Sequence, residues 1–191
     1  IVVGGGLAGC ECALQLAKRG VPVKLFEMRP HTSSPAHRTD GLAELVCSNS
    51  LKATRIDSAA GLLKEELARM GSELLQCANA ASVPAGGALA VDRETFSSLV
   101  EEKVGNEELI ELVREEVTAI PTGRAVIAAG PLCSPALSEA VLELVGGSSL
   151  SFFDAAAPIV DAESLDRSVL FRQSRYGETE VGDYLNAPFT K

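Results

Sequence analysis

The stretch Ile1-Val2-Val3-Gly4-Gly5-Gly6-Leu7-Ala8-Gly9 decides the fold class of this chain. Three apolar residues lead into a glycine-rich turn. The apolar run predicts a buried strand, and the glycines predict a tight turn. From Leu7 onwards apolar residues recur at three- and four-residue spacings, which predicts a helix over residues 7–19. A second strand is predicted over residues 21–27. Strand, turn, helix and strand form one βαβ unit, so we predict an α/β, Rossmann-like fold with a mostly parallel sheet.

The glycines of this turn match the pattern G-x-G-x-x-G. Gly4 permits the tight turn, Gly6 lets a pyrophosphate approach the backbone, and Gly9 lets the helix pack close to the strand. Glu27 ends the second strand, where an acid accepts hydrogen bonds from an adenosine ribose and disfavours a 2′-phosphate. The motif therefore predicts dinucleotide binding, and its spacing does not separate FAD from NAD.

Outward from this unit, the same patterns predict further elements. They are helices over residues 61–70, 93–104 and 134–145, strands over 109–113, 116–120 and 125–128, of which the last is expected to be buried, and turns flanking a short strand over 82–93. The polar segment 28–60 is predicted to be a long functional loop or lid. The composition becomes aromatic-rich after residue 150, where we expect a domain boundary.

Composition narrows the class of protein. The net charge of −9, from 17 basic and 26 acidic residues, argues against a basic nucleic-acid sheath across this region. Five cysteines without CxxC spacing or a Cys/His cluster favour a reducing, cytoplasmic compartment and no metal site. We see no signal peptide and no apolar run of membrane-spanning length. The first residue is not Met, and we expect a fragment of a longer protein.

The segment Cys47-Ser48-Asn49-Ser50 is the second chemical feature. Hydroxyls, an amide and backbone N–H groups around a thiol can stabilise its thiolate, which is the nucleophilic form. The same pattern is compatible with a buried structural cysteine, and chemistry alone leaves both interpretations open. Two histidines of the same region, His31 and His37, are candidates for acid–base or phosphate contacts or for solvated loop residues.

Several longer strings resemble one known family, TrmFO, the folate- and FAD-dependent tRNA (uracil-5-)-methyltransferases. They run in the family's order along essentially the whole chain: Gly4 to Gly9, Glu27-Met28-Arg29-Pro30, Glu44 to Leu51, Gly130-Pro131-Leu132 and Asp183-Tyr184-Leu185-Asn186. Because several of these strings are unusual, the resemblance is far more specific than the glycine motif.

The resemblance implies a cofactor, substrates and site residues. FAD would be tightly bound, with methylenetetrahydrofolate as carbon donor, NAD(P)H as reductant and the T-loop uridine of tRNA as acceptor. The implied FAD contacts are Gly4, Gly5, Gly6, Leu7, Ala8, Gly9, Glu27, Met28, Arg29, Ala129 and Gly130. Cys47 matches a cysteine implicated in catalysis. A second family cysteine lies in a segment absent from this chain, and which of the two adds to uracil stays open.

The resemblance also implies the domain plan, with a partial FAD-binding domain over residues 1–150 and a truncated insertion domain that faces the RNA over residues 151–191. Three alternatives remain: an MnmG-like flavoprotein that modifies the wobble uridine of tRNA, an FAD oxidoreductase with a small substrate, and a non-catalytic FAD- or RNA-binding module. An rRNA acceptor is a further variant of the methyltransferase interpretation.

Overall fold

A computed structural model describes residues 1–147, 160–174 and 182–188 of the chain. Its strands and helices, in chain order, are β1 (Val2–Val3), α1 (Leu7–Ala17), β2 (Val23–Phe26), β3 (Ser50–Ala53), α2 (Ala59–Arg69), α3 (Glu73–Ala80), β4 (Ser82–Val83), β5 (Ala88–Val91), α4 (Arg93–Gly105), β6 (Ile110–Val113), β7 (Val126–Ile127), α5 (Pro135–Val145), a 3₁₀ turn (Ala162–Ser164), β8 (Phe171–Gln173) and β9 (Tyr184–Asn186). The boundary expected near residue 150 lies outside the described residues.

The main sheet has the strand order β6-β2-β1-β7, and all its pairs are parallel. Val2 pairs with Leu25 on one side and with Val126 on the other. Strand β1 thus lies inside the sheet, with β2 and β7 as its neighbours. This arrangement confirms the predicted α/β class with a parallel sheet.

Helix α1 covers this sheet with its apolar face. Its buried residues are Gly9, Cys10, Ala13, Leu14 and Ala17, at the three- and four-residue spacings that predicted the helix. Helices α3 and α4 pack on the same core, to which α4 contributes Phe96, Val100 and Val104. The glycine turn is consequently attached to a helix held along its length.

Three predicted features are wrong. Residues 116–120 form no strand, and β7 is not buried, since Val126 and Ile127 are 42% and 38% exposed at the edge of the described sheet. The segment 28–60 is not one long loop, because it contains β3 and the first turn of α2. Strand β3 is there because it pairs with β5 in an antiparallel sheet of order β3-β5-β4, a long-range contact that residues 28–60 alone do not reveal.

Helix α5 has the limits that its sequence predicts. Ser134 accepts a hydrogen bond from the backbone N–H of Leu137, Pro135 occupies the first turn, and Gly146 ends the helix with a φ of 65°. Strands β8 and β9 pair in an antiparallel hairpin. The Tyr184 hydroxyl donates to the carbonyl of Ala85 (2.9 Å), which attaches this hairpin to the loop before β5.

Candidate functional site

A cleft opens where the carboxyl ends of β1, β2 and β7 meet. Because β2 and β7 lie on opposite sides of β1, the chain diverges there, which is the position where open α/β sheets bind ligands. The glycine turn follows β1, Glu27 follows β2, and Ala129 follows β7. The residues lining the cleft include Gly4, Gly5, Gly6, Glu27, Met28, Arg29, His37, Glu44, Glu115, Glu116, Val117, Ala129, Leu132, Cys133, Ser134 and Leu137.

The three motif glycines have different surroundings, and those of Gly4 and Gly9 match the tight turn and the close helix packing that the sequence predicts. Gly4 has a φ of 108°, and a Cβ there would lie 2.6 Å from the Cα of Ala129. A Cβ at Gly9 would lie 1.8 Å from the carbonyl oxygen of Gly4, so helix and strand make direct backbone contact. Beside Gly6 a Cβ would meet no atom within 4 Å. Space for a ligand therefore lies at Gly6 and not at its two partners.

The same turn fits a pyrophosphate electrostatically. Gly6 is the N-cap of α1, and no side chain caps this helix end. The first N–H groups of a helix lack intrahelical acceptors, and the helix dipole adds positive potential at the same place. An uncapped helix start with open space beside it fits the diphosphate of a dinucleotide.

The Glu27 carboxylate lies at the floor of the cleft and is only 5% exposed. Its Oε2 accepts from the backbone N–H of Gly5 (2.9 Å), and its Oε1 accepts from the backbone N–H and the Nε of Arg29 (3.0 and 2.8 Å). Burial favours the neutral acid, but the hydrogen bonds from Arg29 and Gly5 outweigh it and hold the pKa of Glu27 below its usual value. The carboxylate is thus charged at neutral pH, and its remaining lone pairs fit ribose hydroxyls.

Arg29 borders the cleft, but its guanidinium is turned into the protein. The side chain is 2% exposed and bridges two carboxylates, Glu27 through Nε and Glu44 through Nη1 (2.7 Å). Nη1 also donates to the carbonyl of Thr39 (3.2 Å). Arg29 therefore joins the acid after β2 to the segment that leads to Cys47.

The other expected cofactor residues lie around the turn. Leu7 and Ala8, in the first turn of α1, are exposed and line an apolar groove shared with Leu63 and Phe96. Gly130 follows Ala129 with a φ of 66° and is exposed. These residues therefore border the turn at the surface.

Sequence reasoning missed a group of residues on the opposite wall of the cleft. Glu116 accepts from the Thr32 hydroxyl (2.8 Å), and hydrogen bonds from the Ser134 and Thr32 side chains lower its pKa. Val117 is its neighbour in the wall. The sequence carried no local signal for this role, because the segment was predicted to be a strand and contacts Thr32 only in the folded chain.

His37 also lies in the cleft, as its interpretation as an acid–base group or phosphate contact requires. Its Nδ1 is 2.8 Å from the Ser34 hydroxyl oxygen. Burial, followed by the nearby charge of Arg29, lowers the pKa of His37 below its usual value. The imidazole is consequently neutral at neutral pH, so His37 offers the cleft a hydrogen-bonding group and not a positive charge.

Cys47 is exposed, and the interpretation as a buried structural cysteine is wrong. Its carbonyl accepts from Arg93 (3.5 Å), while the amide of Asn49 donates to the carbonyl of Val91 (3.0 Å). The Ser48 hydroxyl accepts from the backbone N–H of Ser50 (3.1 Å). The neighbours of Cys47 thus attach its segment to β5, and the thiol faces the surface.

The other cysteines differ from Cys47 in their surroundings. Cys10 is fully buried on α1, where burial and then the charge of Glu27 raise its pKa to about 12. Cys77 is buried as well. The burial of Cys10 gives it a packing role on α1.

Two features are absent from the described ranges. No group of three or more His, Cys, Asp or Glu side chains is placed there to hold a metal ion. In the same ranges, none of the helices combines the length and the apolar character needed to cross a bilayer.

Known proteins resemble this chain over its whole length. The family model described as "Glucose inhibited division protein A" matches residues 1–191. The chain is 59% identical over 191 residues to the methylenetetrahydrofolate–tRNA-(uracil-5-)-methyltransferase TrmFO of Geobacter sulfurreducens, which covers 100% of this chain and 44% of that relative. The enzyme of the same name from Streptococcus pneumoniae serotype 4 is 56% identical, with 100% and 43% covered. The chain thus spans less than half the length of these curated relatives.

A solved structure, that of Aquifex aeolicus GidA in its form II crystal, supports the fold. It matches with a TM-score of 0.50 and 19% identity, covering 64% of this chain and 20% of that chain. At this identity the likeness concerns the fold and not the activity. The relatives confirm the resemblance to TrmFO, and because the family model matches every residue, the chain belongs to the glucose inhibited division protein A family.

Proposed function

We propose that this protein binds FAD at the glycine turn and methylates carbon 5 of the T-loop uridine of tRNA. Methylenetetrahydrofolate would donate the carbon, and NAD(P)H would act as reductant. The observation that carries the proposal is the identity of 59% and 56%, across all 191 residues, to two enzymes named for this reaction. Neither an MnmG-like activity nor a small-substrate oxidoreductase has comparable support among these relatives.

The cofactor contacts follow from the geometry of the cleft. Backbone N–H groups from Gly6 onwards bind the pyrophosphate, and the Glu27 carboxylate accepts hydrogen bonds from the ribose hydroxyls. The backbone around Met28 and Ala129 forms the walls beside the adenosine. Bound FAD supplies the redox chemistry that converts the transferred carbon to a methyl group. The chain itself fixes the orientation of the dinucleotide, with its pyrophosphate on the helix start.

Cys47 is the candidate nucleophile of this chain. Carbon 5 of uracil is a poor nucleophile until a thiolate adds to carbon 6 and moves the ring electrons into an enolate. After carbon 5 has accepted the one-carbon unit, loss of its proton expels the thiolate and restores the ring. An exposed thiol on a segment attached to β5 can meet a uridine that has left its stack.

The acceptor and the compartment are part of the proposal. Residues 151–191 would begin an insertion domain that faces the RNA, and Arg167 and Arg172 in it are exposed. A local basic face of this kind would offset the net charge of −9 where phosphates approach. Five cysteines without CxxC spacing or a Cys/His cluster fit the reducing cytoplasm.

The test follows labelled carbon from methylenetetrahydrofolate into tRNA that lacks its T-loop methyl group, with the full-length protein, FAD and NAD(P)H. Cys47→Ala runs beside the wild type, and Cys12→Ala, a partly buried cysteine on α1, is the matched control. We expect label in 5-methyluridine for the wild type and the control, and none for Cys47→Ala. A folded, FAD-loaded wild type that transfers no label to tRNA would refute the assignment, and rRNA would be the next acceptor tested.

A further inference from the structure

A buried bridge of three charged residues, Glu27, Arg29 and Glu44, connects the two functional features of this chain. Arg29 is among the largest fully buried side chains, and its guanidinium contacts both carboxylates. Arginine offers donors in a rigid planar fork, so one side chain can hold two acceptors in a defined relative position. One positive charge between two negative ones leaves the bridge sensitive to any change at either carboxylate.

One end of the bridge holds the glycine turn. Glu27 accepts from the backbone N–H of Gly5 (2.9 Å), between the two motif glycines that shape the phosphate site. The Gly5 carbonyl in turn accepts from the backbone N–H of Ala43 (2.8 Å), one residue before Glu44. Leu42 packs against Gly5 so closely that an added Cβ would lie 2.6 Å from its side chain. The turn and residues 42–44 therefore form one packed unit.

The other end of the bridge shapes the segment that leads to Cys47. The Glu44 carboxylate accepts from the backbone N–H groups of Arg38 and Thr39 (2.8 and 3.4 Å), while Arg29 donates to the carbonyl of Thr39. Cys47 follows Glu44 by three residues. The conformation of residues 38–44, and with it the starting point of the Cys47 segment, thus depends on the position of the Arg29 guanidinium.

We propose that Arg29 is a positioning residue that couples binding of the dinucleotide at the glycine turn to the order of the segment carrying Cys47. A ribose bound to Glu27 restrains that carboxylate, and Arg29 transmits the restraint to Glu44 and the backbone that Glu44 holds. Cys47 is then presented in one conformation when the cofactor is bound. The inference rests on the proposed function, because it assumes FAD at this turn.

The experiment measures alkylation of Cys47 by iodoacetamide in the full-length protein, with and without FAD, by peptide mass spectrometry that separates it from all other cysteines. Glu44→Gln removes one charge of the bridge. Glu73→Gln is the matched control, because Glu73 is also a carboxylate with a 10% exposed side chain between basic partners, and it contacts Lys18 and Lys103 instead. Arg29→Lys keeps the charge of the bridge but loses the fork.

We expect FAD to slow alkylation of Cys47 by about 5-fold or more in the wild type and in Glu73→Gln, which is the lower end of typical coupling between sites. In Glu44→Gln and Arg29→Lys we expect the ratio to fall below about 2-fold at saturating FAD. Equal slowing in all four proteins would mean direct shielding of the thiol by FAD and would overturn the inference.

A second measurement needs no variant. Hydrogen exchange in the wild type should slow at the amides of Arg38 and Thr39 when FAD binds, because both donate to Glu44. A wild type that binds FAD without slowing there, or without a change at Cys47, overturns the coupling and leaves the proposed function intact. A wild type that binds no FAD overturns the proposed function and this inference together.

Discussion

Gly6 and Gly9 are three residues apart, but a side chain added at one would meet surroundings opposite to those at the other. A Cβ at Gly9 would lie 1.8 Å from the Gly4 carbonyl, whereas one at Gly6 meets nothing within 4 Å. Gly6 also has a φ of −78°, which any residue can adopt. Gly9 is therefore needed for the fold, whereas Gly6 leaves the space that the proposed ligand would occupy.

We predict that Gly9→Ala lowers the free energy of unfolding of the unliganded protein by about 2 kcal/mol or more, because a packed backbone contact must open. Gly6→Ala should cost less, about 0.5–1 kcal/mol, which is the preference for glycine over alanine at an N-cap. It should weaken FAD binding by about 10-fold or more, since a methyl group enters the phosphate space. Urea unfolding and flavin fluorescence measure the two effects, and a stable Gly9→Ala variant would contradict the packing argument.

The Glu27 carboxylate makes the stability of the folded protein depend on pH. Its folded-state pKa is lowered below 4.5, so its stabilising effect is full above the unfolded pKa and is lost as the pH falls through the folded one. We predict that wild-type stability declines from about pH 5.5 to 3.5 more steeply than that of Glu27→Gln, followed by urea unfolding. Glu111→Gln, an exposed acid on β6, is the control and should keep the wild-type slope.

The N-terminus of helix α3 is capped in part by a side chain of helix α1. The Glu11 carboxylate on α1 accepts from the Ser72 hydroxyl and from the backbone N–H groups of Glu73 and Leu74 (2.8, 3.1 and 2.9 Å). These N–H groups would otherwise lack acceptors at the helix start. The cap is therefore partly local, through Ser72, which accepts from the backbone N–H of Leu75, and partly tertiary, through Glu11. The tertiary part binds α3 to the helix that carries the proposed phosphate site.

We predict that Glu11→Ala lowers the free energy of unfolding by about 2 kcal/mol, because the three donors at the start of α3 and the Gln15 amide lose a charged acceptor. Glu65→Ala, which removes an exposed pair with Arg69 on α2, should cost less than about 0.5 kcal/mol. Chemical unfolding compares the two. Equal costs would mean that solvent satisfies the start of α3.

The whole protein should respond to its cofactor as one unit, because the cleft is built from β1, β2, β7 and the segment around Glu44. A ligand that binds only the folded state at 100 times its dissociation constant stabilises that state by about 2.7 kcal/mol. We predict a rise of this size for the full-length wild type with FAD. The rise should be unchanged in Cys47→Ala and smaller in Gly6→Ala at the same FAD concentration. Thermal unfolding with increasing FAD checks it, and an equal rise in Gly6→Ala would place the ligand elsewhere.

Local chemistry determined the first βαβ unit, the tight turn at Gly4, the close packing at Gly9 and the limits of α5. Each of these depends on residues close together in the chain, such as a positive φ that favours glycine, a serine followed by proline at a helix start, or apolar residues at helical spacing. Ser72 followed by Glu73 was a local signal for α3 that the pattern of apolar residues did not use.

Other features depended on contacts between distant parts of the chain. Strand β3 exists through pairing with β5, Glu116 lines the cleft through Thr32, and the exposure of Cys47 follows from where its segment attaches. The Arg29 side chain, polar in the sequence, is buried because Glu27 and Glu44 reach it from either side. Apolar periodicity and turn residues reflect the local conformational preferences of a segment. The burial of side chains and the pairing of charges arise only when residues far apart in sequence pack together.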